Sequence, residues 1–194
     1  MDDAALLASA RDGNVDAFAE LVRRYEHRVR AVLFRLLDDD RDVEEATQDA
    51  FVQAWRNLDR FRGDAAVFTW LYRIAVNEAL ARLRRKKLAT TDLDELAETA
   101  HAAADPAEAP EQAAEARELR AFVAGSIRKL PPDYRAPLVL RDVVGLSNQE
   151  VADVLELSLA AAKSRIHRAR MQIRVELERW EAEGGQEAPL TNRP

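Results

Sequence analysis

The sequence predicts an all-α protein of two small helical domains joined by a flexible acidic linker. Three observations carry that expectation. Apolar residues recur at three- and four-residue steps over long stretches, the period of amphipathic helices. Glycine and proline number only 6 and 7 in 194 residues, which favours long helices over the many turns of a sheet. The charge is uneven: residues 1–87 balance to zero, residues 88–116 hold eight acidic side chains and no basic one, and residues 117–180 sum to +4. The expected order is therefore a first domain over 1–87, a linker over 88–116, a second domain over 117–180 and a disordered tail over 181–194.

In the first domain Val15, Phe18, Leu21, Val22, Tyr25, Val29, Val32, Leu33 and Leu36 describe one long amphipathic helix. A second helix carries Val43, Ala46, Ala50, Phe51, Ala54 and Trp55 inward, with Asp42, Glu44, Glu45 and Asp49 on its outer face. After the turn Arg62-Gly63-Asp64, a third helix from about Ala65 to Arg84 is set by Val67, Leu71, Ile74 and Ala75. The linker contains Pro106 and Pro110, many alanines and no cation, and its large apolar residues keep no helical period. In the second domain Leu119, Phe122, Val123, Ile127 and Leu130 mark a helix stopped by Pro131-Pro132, and a short helix follows around Tyr134 to Arg141.

The most informative stretch is Gly145 to Trp180. Ser147 followed by Glu150 is a capping box, so a helix should begin there and bury Val151 and Leu155. Leu157-Ser158-Leu159 then leads into another helix, the layout of a helix-turn-helix. At 100° per residue Ala162, Ile166, Ala169, Ile173 and Leu177 share a narrow packing face. Ser164, His167, Arg168 and Met171 fall opposite, flanked by Lys163, Arg165, Arg170 and Arg174. Such a face offers the donors and cations that insertion into a DNA groove requires; as a charge run alone it equally describes a solvated surface. On the third helix Trp70, Arg73, Asn77 and Arg84 form a second stripe, followed by a basic end at Arg82, Arg84, Arg85, Lys86 and Lys87. Cations there could hold phosphates and an outward indole could stack on an unpaired base. Equally, Trp70 could complete the core and the cations could cap the helix C-terminus.

Other classes are disfavoured. There is no cysteine, hence no disulfide framework, cysteine zinc site or thiol nucleophile, and a reducing cytoplasm is expected. No stretch approaches the roughly 18 apolar residues of a membrane helix, and the acidic start MDDAALLASARDG reads as an unprocessed chain without membrane insertion. His27, His101 and His167 are scattered, with no H-x-x-x-H pair, phosphate-cradling glycine loop or G-x-S-x-G, so no catalytic residue, metal or cofactor is expected. A stand-alone helix-turn-helix regulator would need a dimerisation, ligand or receiver domain, and none is readable.

The strings FRGDAAVFTWLYRIAVN (61–77), LPPDYRAPLVLRDVVGLSNQEVADVL (130–155) and KSRIHRAR (163–170) together resemble the bacterial extracytoplasmic-function sigma factors, the compact two-domain members of the sigma-70 family. The resemblance covers nearly the whole chain outside the linker and tail. It implies that the first domain is region 2, whose acidic helix, here with Glu44, Glu45, Gln48 and Asp49, docks on the clamp helices of core RNA polymerase. It implies that Phe61, Asp64 and Phe68 lie in or beside the loop that captures a flipped base of the minus-ten element, and that Trp70, Arg73, Asn77 and Arg84 contact that element in the melted non-template strand. The second domain resembles region 4, which reads the duplex minus-thirty-five element and docks on the polymerase flap. Ser164, His167 and Arg168 occupy base-facing positions there, and Lys163, Arg165 and Arg170 lie nearer phosphates. Control by an anti-sigma factor and a stress- or signal-dependent regulon are further implications.

The sequence departs from the family pattern in places. Ala160-Ala161-Ala162 stands where many relatives open the recognition helix with a Gly-Thr-Val triplet, so no hydroxyl is supplied there. Glu156 stands near a turn position where glycine or small residues are frequent, His167 where a bulkier apolar residue occurs, and Ala81 where some relatives place a polar base contact. A formal net charge of -6 also sets an expectation: duplex affinity draws mostly on cation excess, so this chain should bind DNA weakly unless a larger body holds both domains over it.

Overall fold

In a computed structural model, residues 1–61, 66–90 and 110–184 are described, with no strand among them. Asp2 starts α1 (Asp3–Arg11) by accepting from the Ala5 amide at 2.8 Å, and Asn14 does the same for α2 (Val15–Leu36) through Ala17 at 3.2 Å. Gly13, at φ +92°, makes the reversal between them. Asp39 caps α3 (Asp40–Arg56), and a short 3-10 turn over Leu58–Arg60 leads toward α4 (Val67–Thr90). The second half contains α5 (Pro110–Lys129), α6 (Pro132–Leu138), a wide π-type turn over Val139–Val143, α7 (Asn148–Leu155) and α8 (Leu159–Ala182). α4 and α8 thus reach into the acidic block and the tail; residues 91–109 and 185–194 of those two segments lie outside the described residues.

α1 is an element that the sequence reading did not name. It buries Leu6, Leu7 and Ala10 against α2, and the Tyr25 hydroxyl donates to Asp3 across the contact. Burial first, and that carboxylate second, push the Tyr25 hydroxyl up to about 12. α2, α3 and α4 pack on one another with Leu21, Leu33, Val43, Ala46, Ala54, Leu71, Ala75 and Val76 inside. Three residues placed on apolar stripes by spacing differ, among them Leu119 on α5, which is exposed. Val15, the first residue of α2, is 64% exposed, because the helix has only begun and nothing overlies its first turn. Trp55 is 38% exposed and lies edge-on to Phe18 with ring centres 5.0 Å apart.

α6, α7 and α8 form a second packed group, with α5 along α8 and the Phe122 and Trp180 rings stacked at 5.1 Å. The two groups meet. α4 lies against α7 and α2 against α5 and α6, so buried residues of both halves belong to one continuous apolar cluster. This is why α4 buries Tyr72, Val76 and Ala79 beyond its predicted stripe: it is covered from two sides.

Candidate nucleic-acid interface

The helix-turn-helix is assembled by local chemistry. The Ser147 hydroxyl accepts from the Glu150 amide at 3.2 Å while the Glu150 carboxylate accepts from the Ser147 amide at 2.7 Å. The Ser147 amide foremost, and the Ser147 hydroxyl second, hold the Glu150 carboxyl below the usual range. Val151, Ala152 and Val154 are buried, and Ser158 then caps α8 by accepting from Ala161 at 3.2 Å. Between the helices Glu156 takes a left-handed conformation, φ 54° and ψ 42°, with its amide donating to Ala152. A side chain there costs energy that glycine does not. Glu156→Gly is therefore expected to raise stability by about 0.5–1 kcal/mol, read as a thermal midpoint higher by roughly 1–4 °C; an unchanged or lower midpoint contradicts it.

On α8, Ala162, Ile166 and Ala169 are buried and Ile173 and Leu177 half-buried, which places the packing face where the projection puts it. Lys163, Ser164, His167 and Arg168 are exposed, and among the described residues their side chains make no hydrogen bond or ion pair. Arg165 and Arg170 differ. Arg165 is half-buried and 3.8 Å from Asp133, and Arg170 donates to both oxygens of Asp142, with Nε at 2.9 Å, which raises its pKa. Two of the six residues therefore begin paired within the chain.

On the α4 stripe Arg73, Asn77 and Arg84 are exposed, while the aromatic residues beside them are partly buried. Trp70 is half-buried, packed against the core with its ring 5.3 Å from Phe61, so it contributes to the core while remaining partly accessible. Phe68 is half-buried beside Tyr72. Arg73 donates to the Asp153 carbonyl, its Nε at 3.1 Å, and Asn77 and Arg84 line a cleft of about 400 Å³. Asp64 lies outside the described residues.

The acidic outer face of α3 also carries internal partners. Glu44 accepts from Gln48 at 3.2 Å and lies 3.8 Å from Arg30. Arg82, in the basic end of α4 by sequence, is only 16% exposed: it donates to Glu78 at 2.9 Å and Glu45 at 3.2 Å, reaches Asp49, and lies 3.7 Å from Asp42. Burial opposes its charge, and the carboxylate hydrogen bonds outweigh that and raise its pKa. Arg41 and Arg82 in turn hold Glu45 below the usual carboxylate range. The Glu78 and Arg82 pair at four-residue spacing was readable in the sequence; the bonds across to α3 were not.

Comparison with known proteins decides the family. The profile Sigma-70 region 2 matches residues 21–88, and the profile Sigma-70, region 4 matches residues 124–173. The chain is 38% identical over 177 residues to the RNA polymerase sigma-H factor of Pseudomonas aeruginosa, covering 88% of this chain and 91% of that one. It is likewise 38% identical over 178 residues to the ECF RNA polymerase sigma-E factor of Escherichia coli K12, covering 89% and 93%. This chain belongs to the sigma-70 family and is of the extracytoplasmic-function type. Such sigma factors are transcription initiation factors and not themselves enzymes. Among solved structures, that of CnrH in complex with the cytosolic domain of CnrY aligns with this sigma factor at TM-score 0.66 and 32% identity, over 91% of this chain and 97% of that one. The sigma factor RpoE from Bartonella quintana, solved with the anti-sigma factor NepR, shares the fold at TM-score 0.70 and 21% identity, over 84% and 98%. No helix of this sigma factor, among the described residues, is long and apolar enough to cross a membrane.

Proposed function

We propose that this sigma factor binds core RNA polymerase through the acidic side of α3, reads a minus-thirty-five element with α8 and a minus-ten element with α4, and assists strand separation in the cytoplasm. The observation that carries the reading is the division of α8. One face is closed on Ala162, Ile166 and Ala169, and the other presents Lys163, Ser164, His167 and Arg168 with no internal partner among the described residues. Donors and cations held on a packed helix after a capped turn are what base edges and phosphates require. On the polymerase side Glu44, Glu45, Gln48 and Asp49 offer carboxylates and an amide along two turns of α3, pre-positioned by Arg30, Arg41 and Arg82. In strand opening Trp70 offers an indole edge, and Phe61 and Phe68 with Asp64 would form the pocket wall for a flipped base. Arg73, Asn77 and Arg84 would then follow the single strand.

Control by an anti-sigma factor is part of the same proposal. It is supported by the similarity to CnrH, solved with a bound partner, and by the meeting of the two modules, which offers one protein a surface spanning both. The net charge of -6 predicts weak binding to duplex alone. In mobility-shift titrations at physiological salt the purified chain should show no tight specific complex, whereas with core polymerase it should select promoters and create new start sites. Tight specific binding without polymerase, or no assembly and no new starts with it, would falsify the reading.

A further inference from the structure

The cations of α8 are not equally free. At 100° per residue Arg170 falls about 20° from Lys163 and about 60° from His167, on one flank of the reading face. Its guanidinium is nevertheless engaged by the first half of the module: Nε and Nη2 donate to the two oxygens of Asp142, Nε at 2.9 Å. Two such parallel bonds fix the planar fork in one orientation. Asp142 is itself held in place. It belongs to the wide turn over Val139–Val143, which is anchored by the buried Val139 and Leu140. The Val144 amide donates to the Val139 carbonyl at 3.0 Å, five residues back, and Arg141 donates to the Leu146 carbonyl at 2.6 Å. A turn of this kind inserts a residue into the helical path and re-aims the side chains it carries. On the opposite flank Arg165 has only a loose pair, 3.8 Å from an Asp133 that is 78% exposed.

We propose that Asp142 is a brake on the duplex-reading helix: it holds Arg170 away from the phosphates beside the groove and so lowers the affinity of the chain for DNA in general. The proposal rests on the reading of α8 given above and adds a positioning residue to it. The pair is placed to be releasable. Arg170 is 54% exposed and Asp142 36%, so a phosphate can take the guanidinium over, at a cost that the DNA contact must meet. The carboxylate also repels any strand lying along that flank. With the brake on, Lys163 and Arg168 are left as the exposed cations of the face without internal partners among the described residues. The effect falls on one kind of binding. Phosphate contacts accept any sequence, whereas the base-facing Ser164, His167 and Arg168 discriminate, so subtracting a phosphate contact weakens random binding without touching the readout. A chain that reads promoters with polymerase is thereby kept off other DNA.

Fluorescence anisotropy of the full chain with a labelled duplex of arbitrary sequence reads the contact directly, because each phosphate neutralised steepens the fall of log affinity with log salt by about 0.9. Asp142→Ala should bind about three- to tenfold more tightly at low salt, with a slope steeper by about one. A rise in salt of about fourfold should then cut that advantage by about 3.5-fold. Arg168→Ala should do the reverse and lose about one unit of slope. In an Arg170→Gln background the Asp142→Ala gain should vanish, the coupling expected of residues in contact. Asp142→Asn keeps the shape and removes the charge, so it should gain in the same direction by less and keeps the test sound if the alanine variant folds poorly. Unchanged or weaker binding by the Asp142 variants, or a gain that survives in the Arg170→Gln background, overturns the brake alone. Unchanged affinity and slope in both Lys163→Ala and Arg168→Ala overturn the assignment of α8 to DNA and this proposal with it.

Discussion

Arg135→Ala will lower the unfolding free energy by about 2–4 kcal/mol, the largest single-residue loss expected here, from buried carbonyls left without donors and the cavity opened. The side chain is 6% exposed, and its guanidinium donates to the carbonyls of Leu36 at 2.9 Å, Leu130 at 3.2 Å and Arg128, and to Asp38 at 3.1 Å. Burial pulls its pKa down, and the Asp38 charge and hydrogen bond recover part of that. Alanine would strip donors from several carbonyls, remove the Arg135 bond to Asp38 and open a hole beneath α6. Arg135→Lys keeps the charge but lacks the planar fork, so it should recover only part of the loss. Urea unfolding followed by circular dichroism measures both, and a loss below about 1 kcal/mol for the alanine variant would contradict the account.

Asn77→Ala and Arg168→Ala should each reduce transcription by roughly tenfold or more, at different steps, since a good contact to a base edge discriminates by about 1–3 kcal/mol. Arg168 is exposed on α8 with no internal partner among the described residues, so its removal should leave thermal stability within about 0.5 kcal/mol and weaken promoter binding at the minus-thirty-five element. Asn77 sits on α4 beside the cleft, and its removal should leave closed-complex formation intact while reducing strand opening. Promoter-bound fraction and permanganate reactivity of unpaired thymines separate the two steps. The residues lie on different helices with no shared partner, so the double variant should show additive losses. Indistinguishable profiles for the two single variants would refute the division of labour between the modules.

Much of this protein was legible before any coordinate. The packing face of α8 was predicted from period alone and is buried at Ala162, Ile166 and Ala169, and the Ser147 and Glu150 box is present with both reciprocal bonds. The capped start of α1 is equally local, an Asp2 carboxylate on the Ala5 amide, yet the sequence reading assigned no helix there. Leu6, Leu7 and Ala10 become informative only because α2 lies beneath them. Trp55 shows the converse: spacing assigned it inward, yet Phe18 meets only its edge.

The cations divide along the same line. Lys163 and Arg168 read as solvent-facing and are so, while Arg82, Arg135, Arg165 and Arg170 all find carboxylate or carbonyl partners on other elements. Sequence alone established the helices other than α1, the turn between α7 and α8, the acidic outer face of α3 and the family. Those features rest on interactions within about four residues, or on residue types in a fixed order, and a linear string carries both. Tertiary structure alone decided which charges are already satisfied and that the two modules meet along α2 and α4. The bonds that do this join residues 80 apart, as in Arg73 to Asp153, and 99 apart, as in Arg135 to Leu36. Chain proximity is silent about such pairs, because only the folded path of the helices brings the donor to its acceptor.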